Sequence, residues 1–267
     1  MEQKLCHTFA ILAYKESPYL EECIQSVLGQ SVKSAVYIST STPSSYISGL
    51  AEKYGLPLYI NEKEPGIASD WQFAADQCET PYLTLAHQDD VYYKTYTEKL
   101  LPYMKNSIIG FCDYEELVNG KPRRKTKMLR IKRLLLWPFY IKKSIKSKFF
   151  KKAVLRLGSP ICCPAVTYNR ELCGGPVFNP EYKNDLDWDA WLTFAGKPGR
   201  FTYEKQVCMA HRIHEDSETT KQIESSGRAA EDLKMFSRMW PGWIARRLAK
   251  MYAGSYASND IAEEKKP

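Results

Sequence analysis

The sequence predicts an α/β fold: a mostly parallel central sheet with helices on both faces, extended by a basic helical insertion and by C-terminal helices. Three observations carry this. Strand and helix signals alternate over the first hundred residues. The strand segments are short, near-continuous apolar runs, as strands buried on both faces require. The chain, 267 residues with 44% hydrophobic and 26% charged, is long enough to bury a sizeable core.

Taken in order, "TFAILAY" is the first apolar strand, and "SPYLEECIQSVLGQS" the first helix. Ser17 is the expected N-cap, Pro18 suits the first helical position, acids occupy the first turn, and Leu20, Ile24, Val27 and Leu28 share a face. Strand "AVYIST", helix "SSYISGLAEKYG", strand "LPLYIN", helix "GIASDWQFAADQC" and strand "YLTLAH" follow. "IIGFCDYEELVNGKP" reads as a strand ending in an Asn119-Gly120 turn. "GSPICCPAVTYNREL" reads as loop and strand, "DLDWDAWLTFAGK" as a helix with Asp185 or Asp187 near its start, and "RFTYEKQVCMAHRIH" as a last strand. The tail "AAEDLKMFSRMWPGWIARRLAKMYAGSY" is helical and broken at Pro241.

The strand "YLTLAH" runs directly into two adjacent carboxylates, Asp89 and Asp90. Like charges side by side at a strand end are costly unless solvated, hydrogen-bonded or neutralised, so a cation is expected there. In parallel sheets ligands bind beyond the carboxyl ends of strands, which is where this pair falls.

Composition excludes several classes. The N-terminus lacks the basic flank and long apolar run of a signal peptide, and the longest apolar run, "LLLWPFYI", is far short of the roughly 20 residues of a spanning helix. The chain is expected to be neither secreted nor transmembrane. The eight cysteines include a vicinal pair, Cys162-Cys163, but no CxxC, which suits reduced, buried thiols and not a disulfide framework or a zinc site. The net charge of +7 is uneven. Positions 121–156 hold fifteen Lys or Arg and no acid, so the remainder carries −8, the difference between +7 and +15.

In order and spacing, "ILAYKESPYLEECIQSVLGQS", "NEKEPGIASDWQFA", "HQDD", "NDLDWDAWL" and "HRIHEDS" resemble the motifs of the inverting family-2 glycosyltransferases. The resemblance covers roughly Thr8 to Ser217. It implies a GT-A-like nucleotide-sugar-binding fold and a role for each matched residue. Asp90 would bind a divalent cation, Mn²⁺ or Mg²⁺, which prefers hard carboxylate oxygens. Asp89 would reach the ribose or a metal-bound water, and His214 would lie near the metal and diphosphate. Asp187 would be the catalytic base, with Asp185 or Asp189 as the alternative and a helix cap as the non-catalytic one. Its place near a helix N-terminus would keep it ionised at neutral pH. Tyr14 and Glu16 would sit against base and ribose, and Asp70 in the donor pocket. Where many relatives carry a uracil-reading acid after the second strand, this chain has "STSTPSS", leaving Ser39 or Thr40 as base contacts or as a simple polar turn. Trp188 or Trp191 could stack on an acceptor sugar, with core packing the better role for Trp191.

The expected function is metal-dependent, inverting transfer of a sugar from a nucleotide-sugar, a UDP-sugar, to a saccharide or lipid-linked acceptor in bacterial surface polysaccharide synthesis. The expected layout is a catalytic domain over 1–217, including the basic insertion at 121–156, and a helical tail over 218–267. The insertion interleaves cations with Leu, Ile, Trp and Phe, the composition of interfacial helices on anionic lipid. Leu135, Leu136, Trp137 and Phe139 would enter the interface. That places the enzyme in the cytoplasm, peripheral at the inner face of the membrane, with nucleic acid not expected as a partner. A solvated helical hairpin is the rival for this segment. A non-catalytic membrane- or glycan-binding module is the rival for the whole chain, but would leave Asp90, Asp187 and His214 without a reason. A nucleotidyltransferase would need a glycine-rich phosphate loop after the first strand, and "ILAYKESPYL" has none.

Overall fold

The computed structural model describes residues 5–63, 66–175, 177–214 and 226–256. The first half follows the expected alternation: β1 (His7–Ala13), α1 (Leu20–Leu28), β2 (Ala35–Thr40), α2 (Ser45–Tyr54), β3 (Leu58–Ile60), α3 (Ile67–Asp76) and β4 (Tyr82–His87). These strands lie parallel in the order β3-β2-β1-β4. Alternate residues of β1 feed the two faces: Ala10 joins one hydrophobic core, while Phe9, Ile11 and Ala13 join the other. Local chemistry sets the ends. Ser44 caps α2 by accepting from the Ile47 N–H at 3.3 Å, and Gly55 closes that helix at a φ of 61°.

The second half is mixed. It contains β5 (Val91–Tyr92), α4 (Tyr96–Leu100), β6 (Ser107–Val118), β7 (Lys121–Arg123), α5 (Lys127–Leu135), α6 (Pro138–Ile141), β8 (Ser144–Ile145) and α7 (Lys148–Ala153). Then come β9 (Val166–Asn169), α8 (Arg170–Cys173), α9 (Leu186–Gly196), β10 (Arg200–Ile213), α10 (Ser226–Ser237) and α11 (Gly242–Tyr256). The sheet continues β4-β9-β6-β10-β5, with β9 antiparallel to both neighbours and β10 parallel to β6. Asn119 and Gly120, at φ 51° and 73°, form the tight turn from β6 into β7.

Two local expectations are corrected. Ser17 is not the residue directly before α1, which is Tyr19; its hydroxyl accepts from the Tyr19 N–H at 3.3 Å, at the turn that leads into the helix, and also donates to Asp89 Oδ1 at 2.6 Å. The basic insertion is not a helical hairpin but three short helices and two short strands laid on the sheet. Leu136 and Phe139 are buried in the protein core and unavailable to an interface. Lys151 is also completely buried, its ammonium donating to the carbonyls of Phe194, Lys197 and Gly199 at 3.3, 2.8 and 3.0 Å. It thereby satisfies the open C-terminal end of α9.

The boundary expected at 217/218 lies outside the described residues. The C-terminal helices pack on the main core, where Met235, Phe236, Ala245 and Ala249 are buried. Pro241 separates α10 from α11 as expected. Among the described residues no helix is long and apolar enough to cross a membrane.

Candidate active site

A cleft of about 470 Å³ opens beyond the carboxyl ends of β1, β2 and β4 and is walled opposite by the start of α9. At its floor the paired acids are held apart by different partners. Asp90, 1% exposed, accepts at Oδ1 from the Arg212 N–H at 2.9 Å and faces His211 Nδ1 at 3.0 Å. Asp89 accepts from Ser17 at Oδ1, and its Oδ2 lies 3.2 Å from His214 Nε2. Arg212 locks the turn from behind: its Nε donates to the Asp89 carbonyl at 2.8 Å, and its guanidinium lies 4.1 Å over the Tyr19 ring. Burial alone would pull His211 down, yet the charge and hydrogen bond of Asp90 carry it above its ordinary value.

Asp90 Oδ2 is buried and has no hydrogen-bond donor among the described residues. An ionised oxygen in that state is costly. No group of three or more His, Cys, Asp or Glu among the described residues could hold a metal by itself. The donor set therefore fits a hard cation that takes one or two carboxylates from the protein and the rest of its shell from substrate phosphates and water. The same floor carries His87, whose buried Nε2 also lacks a partner among the described residues and whose ring lies 5.0 Å from that of Trp71.

Across the cleft, Asp187 sits in the first turn of α9, its Oδ1 accepting from the Trp188 N–H at 2.7 Å. Burial pushes its carboxyl above the ordinary range, and the helix amide and the charges of Lys132 and Arg228 offset only part of that rise. The helix N-terminus favours the ionised carboxylate, but burial outweighs the dipole in the direction of the shift. Its rivals differ in state. Asp189 is paired with Arg238 and does not line the cleft. Asp185 lines the cleft but is raised by burial and by repulsion from Asp232 and Asp187.

The remaining expected residues are brought together unevenly. Tyr14 lines the cleft, and its backbone is clamped by Gln88 through bonds of 3.0 and 2.9 Å. Glu16 is exposed and does not line the cleft; the chain turns at Lys15, at a φ of 56°. Asp70 lines the cleft and ties the ends of β2 and β3 together, accepting from Ser41 at 2.9 Å and Asn61 at 2.7 Å. Ser39 and Thr40 line the same wall. Trp188 and Trp191 are both fully buried, and Trp188 packs on Phe236 and Tyr252, so neither can stack on a sugar. The matched stretch "HRIHEDS" is described only as far as His214; its last three residues lie outside the described residues.

Four contributors were given no site role from the sequence. Ser17, His211 and Arg212 lie inside matched motifs, but their contacts with the paired acids span 72 to 123 positions and no local pattern reveals them. Lys132, from the basic insertion, lines the same cleft as both carboxylate groups. Its signal was hidden among fifteen similar cations.

A parallel β-α half whose strand-end acids face a helix-borne carboxylate across a cleft is what a glycosyltransferase of GT-A-like fold requires. The comparisons agree. The chain belongs to glycosyl transferase family 2, whose model matches residues 8–173. No curated protein matches it in sequence. Among solved structures it is similar to S. aureus TarS 1-349 in complex with UDP-GlcNAc, at 14% identity and a TM-score of 0.65 over 98% of this chain and 76% of that one. It is also similar to the mannosyltransferase PcManGT from Pyrobaculum calidifontis in complex with GDP-Man and Mn2+, at 13% identity and 0.62 over 97% and 77%. Glucosyl-3-phosphoglycerate synthase from Mycobacterium tuberculosis in complex with phosphoglyceric acid aligns at 13% and 0.55 over 88% and 80%. At such identities the likeness is one of fold.

Proposed function

We propose that the chain is a metal-dependent, inverting glycosyltransferase that takes a sugar from a UDP-sugar to a saccharide or lipid-linked acceptor in assembly of a bacterial surface polysaccharide. The observation that carries this reading is the buried Asp90 Oδ2, without a donor among the described residues, on one side of a cleft and the Asp187 carboxyl on the other. The solved structures similar in fold hold UDP-GlcNAc in one case and GDP-Man with Mn2+ in another, which supports a nucleotide-sugar donor and a divalent cation.

Asp90 would hold the cation, with Asp89 and His214 beside it. When bound, Mn²⁺ or Mg²⁺ supplies Lewis-acid stabilisation of the donor diphosphate. Tyr14, Ser39 and Thr40 form the wall for the nucleoside, and Asp70 fixes that wall by joining Ser41 to Asn61. Asp187 accepts the proton of the acceptor hydroxyl as that oxygen attacks the anomeric carbon. Its elevated affinity for a proton makes it a stronger base than an exposed carboxylate, provided it is ionised.

The membrane reading is retained with different residues. Leu134, Trp137, Ile141 and Phe149 are 71, 51, 79 and 66% exposed, and Lys127, Arg130, Lys142, Lys146 and Lys148 are exposed around them. This apolar and basic mixture suits an anionic bilayer surface at the cytoplasmic face. Calorimetric titration with UDP- and GDP-sugars in Mn²⁺ tests the donor reading: a UDP-sugar should bind at least about tenfold tighter with metal than in EDTA. Binding of GDP-sugars alone would reassign the base, and binding of neither would overturn the reading.

A further inference from the structure

Lys132 is unlike the other cations of its segment. The outer side of α5 exposes Arg130, Ile131 and Leu134, whereas Lys132 points inward and lines the cleft that also holds Asp90 and Asp187. The helix is fixed in that orientation at three points. Thr126 caps it by accepting from the Leu129 N–H at 3.3 Å, Leu129 is buried in the core, and Arg133 grips Asp113 at 2.9 Å. The Lys132 ammonium itself is steadied by donating to the Tyr114 hydroxyl at 2.9 Å.

A cation that lines the same cleft as Asp90 and Asp187 faces the space where negative charge develops during transfer. We propose that Lys132 binds the β-phosphate of the nucleoside diphosphate and stabilises it as it leaves; this rests on the glycosyltransferase reading above. In the step, the acceptor oxygen bonds to the anomeric carbon and its proton passes to Asp187. The bond from that carbon to the β-phosphate oxygen breaks, the electron pair stays on the phosphate oxygen, and Lys132 donates a hydrogen bond to it while keeping its own proton. Donors aimed at developing charge in a partly water-excluded site lower the barrier more than they strengthen ground-state binding. The basic insertion would then serve two ends: an outer face for anionic lipid, and one residue turned inward for the leaving group.

The test is calorimetric titration of UDP and UMP in EDTA, so that no divalent cation contributes, using wild-type protein, Lys132→Met and Lys132→Arg. In wild type UDP should bind tighter than UMP. Lys132→Met should weaken UDP by about tenfold and UMP by less than about twofold, and Lys132→Arg should recover most of the difference. In the metal-loaded enzyme Lys132→Met should lower kcat with KM for the acceptor unchanged. An unchanged UDP to UMP ratio in Lys132→Met overturns the proposal. Equal weakening of both nucleotides also overturns it, since the residue would then only support the cleft wall. A wild-type protein that binds neither uridine nor guanosine nucleotides removes the donor reading itself, and the proposal falls with it; retained UMP affinity in the variant shows that its cleft is folded.

Discussion

Replacing Asp90 by Asn separates the cost of losing a cation site from the cost of losing a fold. In Asp90→Asn the new amide oxygen can still accept from the Arg212 N–H, so only the charge assistance to the His211 contact disappears. That loss is about 1 kcal/mol, the gap between an ordinary and a charged hydrogen bond. On the other side, the charge on an oxygen that has no donor among the described residues is replaced by a neutral amide and the repulsion with Asp89 is relieved, a gain of similar order. The two nearly cancel, so the metal-free variant should melt within a few degrees of wild type, given that about 1 kcal/mol moves a chain of this size by roughly 2–4 °C. Ligand binding should behave differently. A unit negative charge and a dication about 4 Å apart at an effective dielectric of about 20 attract by about 8 kcal/mol. If desolvation cancels even two-thirds of this, about 3 kcal/mol remains, which is roughly a hundredfold in affinity. Titration of UDP with and without Mn²⁺ reads that increment directly. If Mn²⁺ tightens UDP as much in Asp90→Asn as in wild type, Asp90 does not hold the cation. If the variant melts more than about 10 °C lower, the cancellation argued from its hydrogen bonds is wrong.

Across the cleft, Asp187→Asn should bind donor normally yet lose turnover by a factor on the order of 10² or more; an active Asp187→Asn beside an inactive Asp185→Asn would move the base to Asp185. Because burial raises the Asp187 carboxyl and the base must be ionised, the acid limb of the pH–rate profile should lie above the ordinary carboxylate value of about 4. An acid limb at or below about 4 would contradict that direction. Vesicles of anionic lipid should bind the folded protein with a blue shift in tryptophan emission, and changing Lys127, Arg130, Lys142, Lys146 and Lys148 to Gln should abolish binding, each cation contributing about 1 kcal/mol; equal binding by that variant would sink the membrane reading. Lys151→Met should destabilise by about 2–4 kcal/mol in urea, because three carbonyls at the end of α9 lose a charged donor in a buried place, and an unchanged unfolding midpoint would show that water replaces it.

Much of the first half was legible because its signals are local. Continuous apolar runs marked β1, β2 and β4, Ser44 marked the start of α2, and Asn119-Gly120 marked the turn out of β6. The Asp89-Asp90 pair stood out because like charges at a strand end need a reason. What failed was long-range or ambiguous in period. The antiparallel entry of β9 between β4 and β6 depends on pairing partners, about which periodicity says nothing. Ser17 looked like a helix cap because a hydroxyl before a Pro serves that purpose elsewhere; it does accept from the Tyr19 N–H, but it also donates to Asp89, 72 positions on, which the local pattern did not show. Leu136 and Phe139 looked interfacial because an apolar stripe among cations is the same whether it meets lipid or the protein's own core. Trp188 beside Asp187 looked like a sugar platform, but α9 is enclosed almost all round, and Trp188 packs inward on α10 and α11.

The position of β9 also has a consequence for how the chain is made. β4 finds its outer neighbour about 80 residues later in the sequence, since Tyr82, Leu83 and Thr84 pair with Asn169, Tyr168 and Thr167. During synthesis at roughly 5–20 residues per second, the four parallel strands would be complete for about 4–16 s before β9 emerges. For that interval the apolar edge of β4 is an open template for pairing with another nascent chain. The hazard ends when Val166 to Asn169 dock, so mutations that slow this one short strand should raise aggregation on the ribosome far more than they lower the stability of the finished enzyme.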